Sequence, residues 1–253
     1  VYPNWNKGVI FVRVAFFSDV HGNELALDAV LHDIREMGCD KVYMLGDICF
    51  RGYAPKACLD KVMDVADVVV RGNADEWIVR GVREGEVPPE RLDVMNGERA
   101  FALHQLTTED VRQLNDLPTT CESLDPDLDS TWLAFHATPD DTFAIVPEGV
   151  SDSVIEQSII GSYPHKLFFY GHIHIPYVRR IGDRTIVNIG SVGMPFDGIA
   201  QASYAIVDNS RFDTQIHLRR IPYDVEAACK RYDEVGYPLA TAMANVLRTA
   251  RPL

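Results

Sequence analysis

Five short polar groups recur along the chain, each placed behind an apolar run: Asp19-x-His21, Gly46-Asp47, Gly72-Asn73-x-Asp75, His136, and Gly171-His172-x-His174. Any one of them is ordinary. A Gly-Asp pair is usually a turn, and a lone histidine at a strand end is usually a hydrogen-bonded structural residue. Together they supply carboxylate, imidazole and amide donors, all at the ends of predicted strands, and that combination is metal-ligating chemistry.

The elements that must carry these groups are readable in the same way. Ile10 to Phe17 is an apolar, aromatic and β-branched run that predicts a buried strand. Asn23 offers an N-cap to a helix with Leu27, Val30, Leu31 and Ile34 on one face, and Gly38 stops it. A strand at about Val42–Leu45, a helix from Pro55 to about Ala66 and a strand at Val68–Val70 follow. This β-α-β-α-β alternation predicts parallel strands with right-handed crossovers, and ligands bind at the carboxyl edge of such a sheet. In an extended segment, a spacing of two sends Asp19 and His21 to one side, and likewise His172 and His174. Gly22, Gly46, Gly72 and Gly171 suit sharp turns beside the site.

Residues 84–117 are charged and helical in pattern, with a capping box at Thr107 and Asp110 and a hydrophobic staple from Leu106 to Val111. They read as a helical insertion over the site and the element that sets specificity. Beyond the turn at Asp125-Pro126-Asp127, strands are predicted at 131–135, 167–170, 202–207 and 211–218, with a hairpin through Gly182-Asp183. Helical sequence closes the chain from Asp224 to about Arg248, broken at Gly236 and Pro238. Without repeats or a linker, 1–253 reads as one α/β domain of two packed sheets with helices outside.

The 253 residues hold 24 Lys and Arg against 37 Asp and Glu, a net charge of −13 that argues against a stable nucleic-acid complex. An anionic substrate stays admissible if bound cations supply positive charge locally. No apolar stretch reaches membrane-span length, so no membrane partner is expected. The five cysteines (39, 49, 58, 121 and 229) form no C-x-x-C pair and read as reduced thiols of a cytoplasmic protein. Residues 1–9 have no signal-peptide run and read as an N-terminal extension. Oligomeric state has no signature.

FFSDVHGN, LGD, VVRGNAD, FHATP, FYGHIHIPY, NIGSVGMP and the YDVEAA helix start resemble, in that order, the calcineurin-like metallophosphoesterase superfamily, in particular its small single-domain bacterial and archaeal members. The resemblance implies a four-layer α/β/β/α sandwich of two mixed sheets flanked by helices. It implies that Asp19, His21 and His174 ligate one divalent ion, that Asn73, His136 and His172 ligate a second, and that Asp47 bridges them with one oxygen for each. Such a bridge holds ions about 3.5–4 Å apart and makes a shared water a hydroxide near neutral pH. Four imidazoles, two carboxylates and one amide suit Mn, Fe, Co, Ni or Zn better than Ca or Mg and do not choose among them. The expected cofactor is a pair of divalent ions, with Mn first and Fe, Zn, Co or Ni as alternatives.

The activity implied is hydrolysis of phosphodiesters, nucleotide-type ones included, by the bridging hydroxide, with Asp47, Asn73 and His136 as catalytic residues. Dinucleoside polyphosphates and phosphoproteins are alternative substrates. A non-catalytic metal-binding interaction scaffold, as in the retromer subunit that resembles this family, is the rival of another class, and it is disfavoured because all seven ligand positions are filled. Two departures stand out. Ala74 replaces a His that many members use toward the leaving group, and Phe196 replaces an Arg often found after the Gly-Ser turn. Asp75, which pairs with the missing His in the family, and Arg51 and Arg71, beside the second and third motifs, are the candidates for substrate contact. His32, His104, His165 and His217 have no partner spacing and read as structural or exposed.

Overall fold

A computed structural model describes residues 11–123, 131–210 and 213–252. The expected extension at 1–9, the turn at 125–127 and the first residues of the expected 211–218 strand lie outside them. The chain runs β1 (Phe11–Phe17), α1 (Glu24–Glu36), β2 (Lys41–Met44), α2 (Pro55–Val65), β3 (Val68–Val69), α3 (Asn73–Arg80), α4 (Pro89–Leu103) and α5 (Thr108–Asn115). It continues through β4 (Thr120–Ser123), β5 (Trp132–Phe135), α6 (Asp152–Ile155) with a π-helical turn at Glu156–Ile160, β6 (Leu167–Tyr170), β7 (Tyr177–Ile181) and β8 (Arg184–Asn188). β9 (Ala202–Ser210), β10 (Thr214–Ile221), α7 (Val225–Glu234) and α8 (Ala240–Thr249) complete it.

Two five-stranded sheets result, in the orders β10-β9-β1-β2-β3 and β4-β5-β6-β8-β7. β1, β2 and β3 are parallel as the alternation predicts, while β9 and β10 add antiparallel strands and make the sheet mixed. The second sheet is also mixed: β5, β6 and β8 are parallel, and the hairpin at Gly182-Asp183 joins β7 to β8.

The layers follow from strand alternation. Ala15 and Phe17 of β1 face Leu27, Val30 and Leu31 of α1 and Leu59 and Val62 of α2. Val14 and Phe16 face the other way, onto Trp132, Ala134, Leu167 and Phe169 of the second sheet. Phe16 stacks on Phe169 with ring centroids 4.3 Å apart, which locks the sheets face to face. Leu133, Phe135, Phe168 and Tyr170 point outward onto Ile155 and Ile159 of the α6 segment. Helix, sheet, sheet and helix are the four layers that the resemblance implies.

Asn23 caps α1 as expected, accepting from the N–H of Ala26, and Thr107 and Asp110 form the capping box of α5. Met95, Ala102, Leu106 and Leu114 bring α4 and α5 onto the same core as α1 and α2. All five cysteines are free thiols. Among the described residues no helix is long and apolar enough to cross a membrane.

Candidate metal centre

The predicted ligands all stand just beyond strand ends: Asp19 and His21 after β1, Asp47 after β2, Asn73 after β3, His136 after β5, and His172 and His174 after β6. Their backbone differs from the extended form expected for x-spaced pairs. Asp19, His21, Asp47, His172 and His174 have φ of 56°, 46°, 63°, 65° and 58°, and Arg51 has 71°. The left-handed region costs an L-residue roughly 1–2 kcal/mol, and such strain persists only where the surroundings over-determine it. Here the loops hold one another: Asp19 N–H donates to Gly46 O (2.9 Å), His21 N–H to Asp47 O (3.0 Å) and Gly193 N–H to Asp19 O (2.9 Å). The only other non-glycine of this kind among the described residues is Ala250 at a helix end, so the strain concentrates at the site.

The side chains converge into two groups, Asp19 with His21 and His174, and Asp47 with His136 and His172. Within each group the ligand atoms lie within 4.8 Å of one another. Asn73 joins the second, its Oδ1 lying 2.9 Å from His136 Nε2. Oδ2 of Asp47 lies 3.7 Å from His21 Nε2 and 3.4 Å from His136 Nε2, so a single oxygen faces both groups. Its other oxygen, Oδ1, accepts the N–H of Ala74 at 2.8 Å and keeps a second lone pair.

Backbone carbonyls set the tautomers. His21, His136 and His174 donate Nδ1–H to Phe50 O (2.9 Å), Leu45 O (2.7 Å) and Met194 O (2.5 Å). A carbonyl only accepts, so each neutral ring turns an Nε2 lone pair inward. His21 Nε2 and His174 Nε2 then face each other at 3.2 Å, and His172 Nδ1 faces His136 Nε2 at the same distance. The two lone pairs of His21 and His174 repel unless positive charge lies between them. Oδ1 of Asp19, wholly buried and without a hydrogen bond, faces the first pair. The donor set therefore fits divalent cations, with nitrogen and oxygen atoms aimed inward and the Nδ1 protons of three of the four rings committed to carbonyls.

The electrostatics agree. Burial alone would lower His136, but Asp47 and Asp19 outweigh it and push the ring up to about 10. Asp47 stays well below the usual carboxylate range despite burial, because His136 and its neighbours hold it there. Burial, then the adjoining imidazole, drives His21 and His172 down to about 4. His136 thus holds a proton where the site demands positive charge, while His21 and His172 resist taking one.

Two glycines are required by closeness. A Cβ on Gly72 would sit 2.1 Å from Asp47 Oδ1, and one on Gly171 would sit 2.3 Å from Asp19 Oδ2.

The other candidates separate. Arg51 lines the cavity of about 160 Å³ over the centre, with Phe50, Trp77, Met194 and Phe196. Arg71 is not among its walls, since its Nη1 donates to the carbonyl of Asn115 at 2.6 Å. Asp75 is wholly buried and accepts from the N–H groups of Asp47 (2.7 Å), Ile48 (2.9 Å) and Gly72 (2.9 Å), so it braces the loops instead of meeting substrate. Burial and then Asp47 push its carboxyl up to about 6. Phe196 stacks on His174 with centroids 4.4 Å apart, using the place of the missing Arg as an aromatic wall.

Sequence reasoning missed Trp77 and Glu98. Trp77 lies four residues after Asn73 on α3, a spacing that puts both on one helix face. Glu98 of α4 is buried and sits 3.4 Å from Arg51 Nε, with no local signal to mark it.

The model of the calcineurin-like phosphoesterase superfamily domain matches residues 12–211. The chain belongs to the calcineurin-like phosphoesterase superfamily. It is a metal-dependent phosphoesterase, a hydrolase of phosphoric ester bonds. An uncharacterised protein of Methanocaldococcus jannaschii is 31% identical over 241 residues, covering 86% of this chain and 90% of its own. Phosphodiesterase YfcE of Escherichia coli is 22% identical over 211 residues, 78% of this chain and 88% of its own. Among solved structures, a metallophosphoesterase from Sphaerobacter thermophilus superposes with a TM-score of 0.74 at 25% identity, over 94% of this chain and 99% of that one.

Proposed function

We propose that this chain is a dinuclear phosphodiesterase. The observation that carries the reading is the position of Asp47 Oδ2 between two inward-facing imidazole pairs, each with the geometry to hold one ion. Asp19, His21 and His174 would hold one, Asn73, His136 and His172 the other, with Asp47 common to both. Two divalent transition-metal ions, Mn foremost, would supply Lewis acidity toward the phosphoryl oxygens and a water acidified toward neutral pH. The residues do the rest. Leu45 O keeps His136 Nε2 directed inward, Phe50, Trp77 and Phe196 wall the cavity against water, and Arg51 offers a guanidinium to a phosphate oxygen. In a chain of net charge −13, occupancy of the centre is what admits an anionic ester. Five free thiols and a transition-metal centre suit a reducing cytoplasm.

The test is metal analysis of protein purified without chelator, with hydrolysis of bis-p-nitrophenyl phosphate and p-nitrophenyl phosphate in Mn²⁺ or EDTA. Two ions per chain and a diester preference abolished by EDTA are expected. A preference for the monoester, or one ion per chain at full activity, would overturn the reading.

A further inference from the structure

A second cavity, of about 350 Å³, adjoins the metal cavity and shares two walls with it, His172 and Phe196. Its other walls include Ile145, Pro147, Ile173 and Ile175, and Glu148 is its one charged residue. The segment His172-Ile173-His174-Ile175 serves both spaces, since both histidines line the metal cavity while both isoleucines line its neighbour. Ile145 at the rim is 72% exposed, the most exposed large hydrophobic among the described residues. It carries the apolar lining of the cavity out to the surface.

From these features we infer that the cavity is a subsite for the apolar substituent of the ester, so that the preferred substrate carries a neutral aromatic or alkyl group on phosphorus-bound oxygen. The inference rests on the phosphodiesterase reading. An ester whose phosphoryl group sits over the centre must send its substituents outward, and the neighbouring space beyond His172 and Phe196 is lined by hydrocarbon. Its volume lies within the range of small-molecule pockets, and its lining of apolar walls with one polar group matches their usual make-up. Phe196, held against His174, is a rigid wall common to both spaces. Glu148 repels a second phosphate and accepts from a hydroxyl or amine. The subsite thus selects against dinucleoside polyphosphates and phosphorylated acidic peptides.

The experiment keeps the leaving group constant. Alkyl p-nitrophenyl phosphates from methyl to hexyl are hydrolysed by the Mn²⁺-loaded enzyme, and kcat/KM is followed against chain length. Each buried methylene is expected to raise it about fourfold until the cavity is filled, with the gain in KM. Ile145→Asp, folded by circular dichroism because the site is exposed, and Ile175→Ser should flatten the series. Val178→Asp, at another exposed hydrophobic position, should keep the slope. The metal-free protein should also bind N-phenyl-1-naphthylamine with a fluorescence rise that Ile145→Asp removes, a readout independent of turnover. A flat series in the wild type, or a slope surviving Ile145→Asp, overturns the inference while leaving the phosphodiesterase reading intact. A dimer in sedimentation that Ile145→Asp dissociates would assign the cavity to a second copy and overturn it equally. Failure of every diester, methyl included, would strike the phosphodiesterase reading itself.

Discussion

Oδ2 of Asp75 accepts the backbone N–H of Asp47 at 2.7 Å, so one buried carboxylate holds in place the residue that carries the other. The same group also accepts from Ile48 and Gly72, tying the loop after β2 to the start of α3. Asp75→Ala leaves three buried N–H groups without partners, each costing about 1–3 kcal/mol. Losing about 3 kcal/mol should lower Tm by roughly 6–12 °C. Metal affinity should fall about 10–100-fold, because the loop that aims Asp47 is released. Asp75→Asn, which retains one acceptor oxygen, should fall between. Calorimetry and Mn²⁺ titration check both, and a wild-type Tm together with wild-type affinity in Asp75→Ala would count against the bracing role.

Asp47→Asn tests the shared oxygen. The amide is nearly isosteric and can still accept from Ala74, so the fold should stand. The negative charge facing both groups disappears, and with it the pairing that holds His136 protonated in the metal-free protein. Both ions should bind more weakly, and turnover should drop by roughly a thousandfold or more, about 4 kcal/mol of barrier. Metal content by plasma mass spectrometry with steady-state kinetics is the check. Loss of one ion only would show that Asp47 serves a single site.

Stability should vary with pH in a way that metal changes. His136 titrates near 10 in the folded metal-free protein against 6.5 unfolded, so its contribution is full below about 6.5 and lost as pH rises toward 10. His21 and His172 titrate near 4 against 6.5, so their contribution is full above about 6.5 and lost as pH falls toward 4. As far as these rings decide, the metal-free protein is most stable near pH 6.5. A bound cation replaces the proton on His136, which removes the alkaline decline and raises stability, by about 2.7 kcal/mol for a site at a hundredfold its Kd. Melting curves from pH 5 to 9 in EDTA and in Mn²⁺ read this directly. An alkaline decline equally steep with and without metal would contradict it.

Much of this architecture is legible in the sequence because each part is local. The alternation of β1 to β3, the Asn23 cap and the Gly182-Asp183 hairpin follow from short-range periodicity and turn chemistry. β4 is not legible, since the four residues TCES have no apolar alternation and become a strand only by pairing with β5. The ligand set is legible as residue types in order. Its backbone is not, because the left-handed turns at Asp19 and His21 are imposed by carbonyls of Gly46 and Asp47, more than twenty residues away. The same limit applies to Asp75, which meets Asp47 and Ile48 of the loop after β2, to Arg71, which meets the end of α5, and to Glu98, which meets Arg51 across a helix packing that no spacing encodes.

Ala74 is where the chain departs from its family in a way that rates can read. The residue is buried on the first turn of α3, lines the metal cavity, and gives its N–H to Asp47. No imidazole stands there to protonate a leaving oxygen, so the rate should depend steeply on how readily that oxygen leaves unaided. General acid catalysis contributes about 10²–10⁴-fold where it operates. Ala74→His should therefore raise kcat on diesters with poor alkoxide leaving groups by about tenfold or more, while p-nitrophenyl esters gain little. The gain should disappear as pH rises past the new ring's pKa. Ala74→Gln, of similar bulk without an acidic proton, separates acid catalysis from crowding beside Trp77. A plot of log kcat against leaving-group pKa should flatten for the His variant and not for the Gln variant. Equal slopes in all three proteins would mean that the leaving oxygen obtains its proton elsewhere.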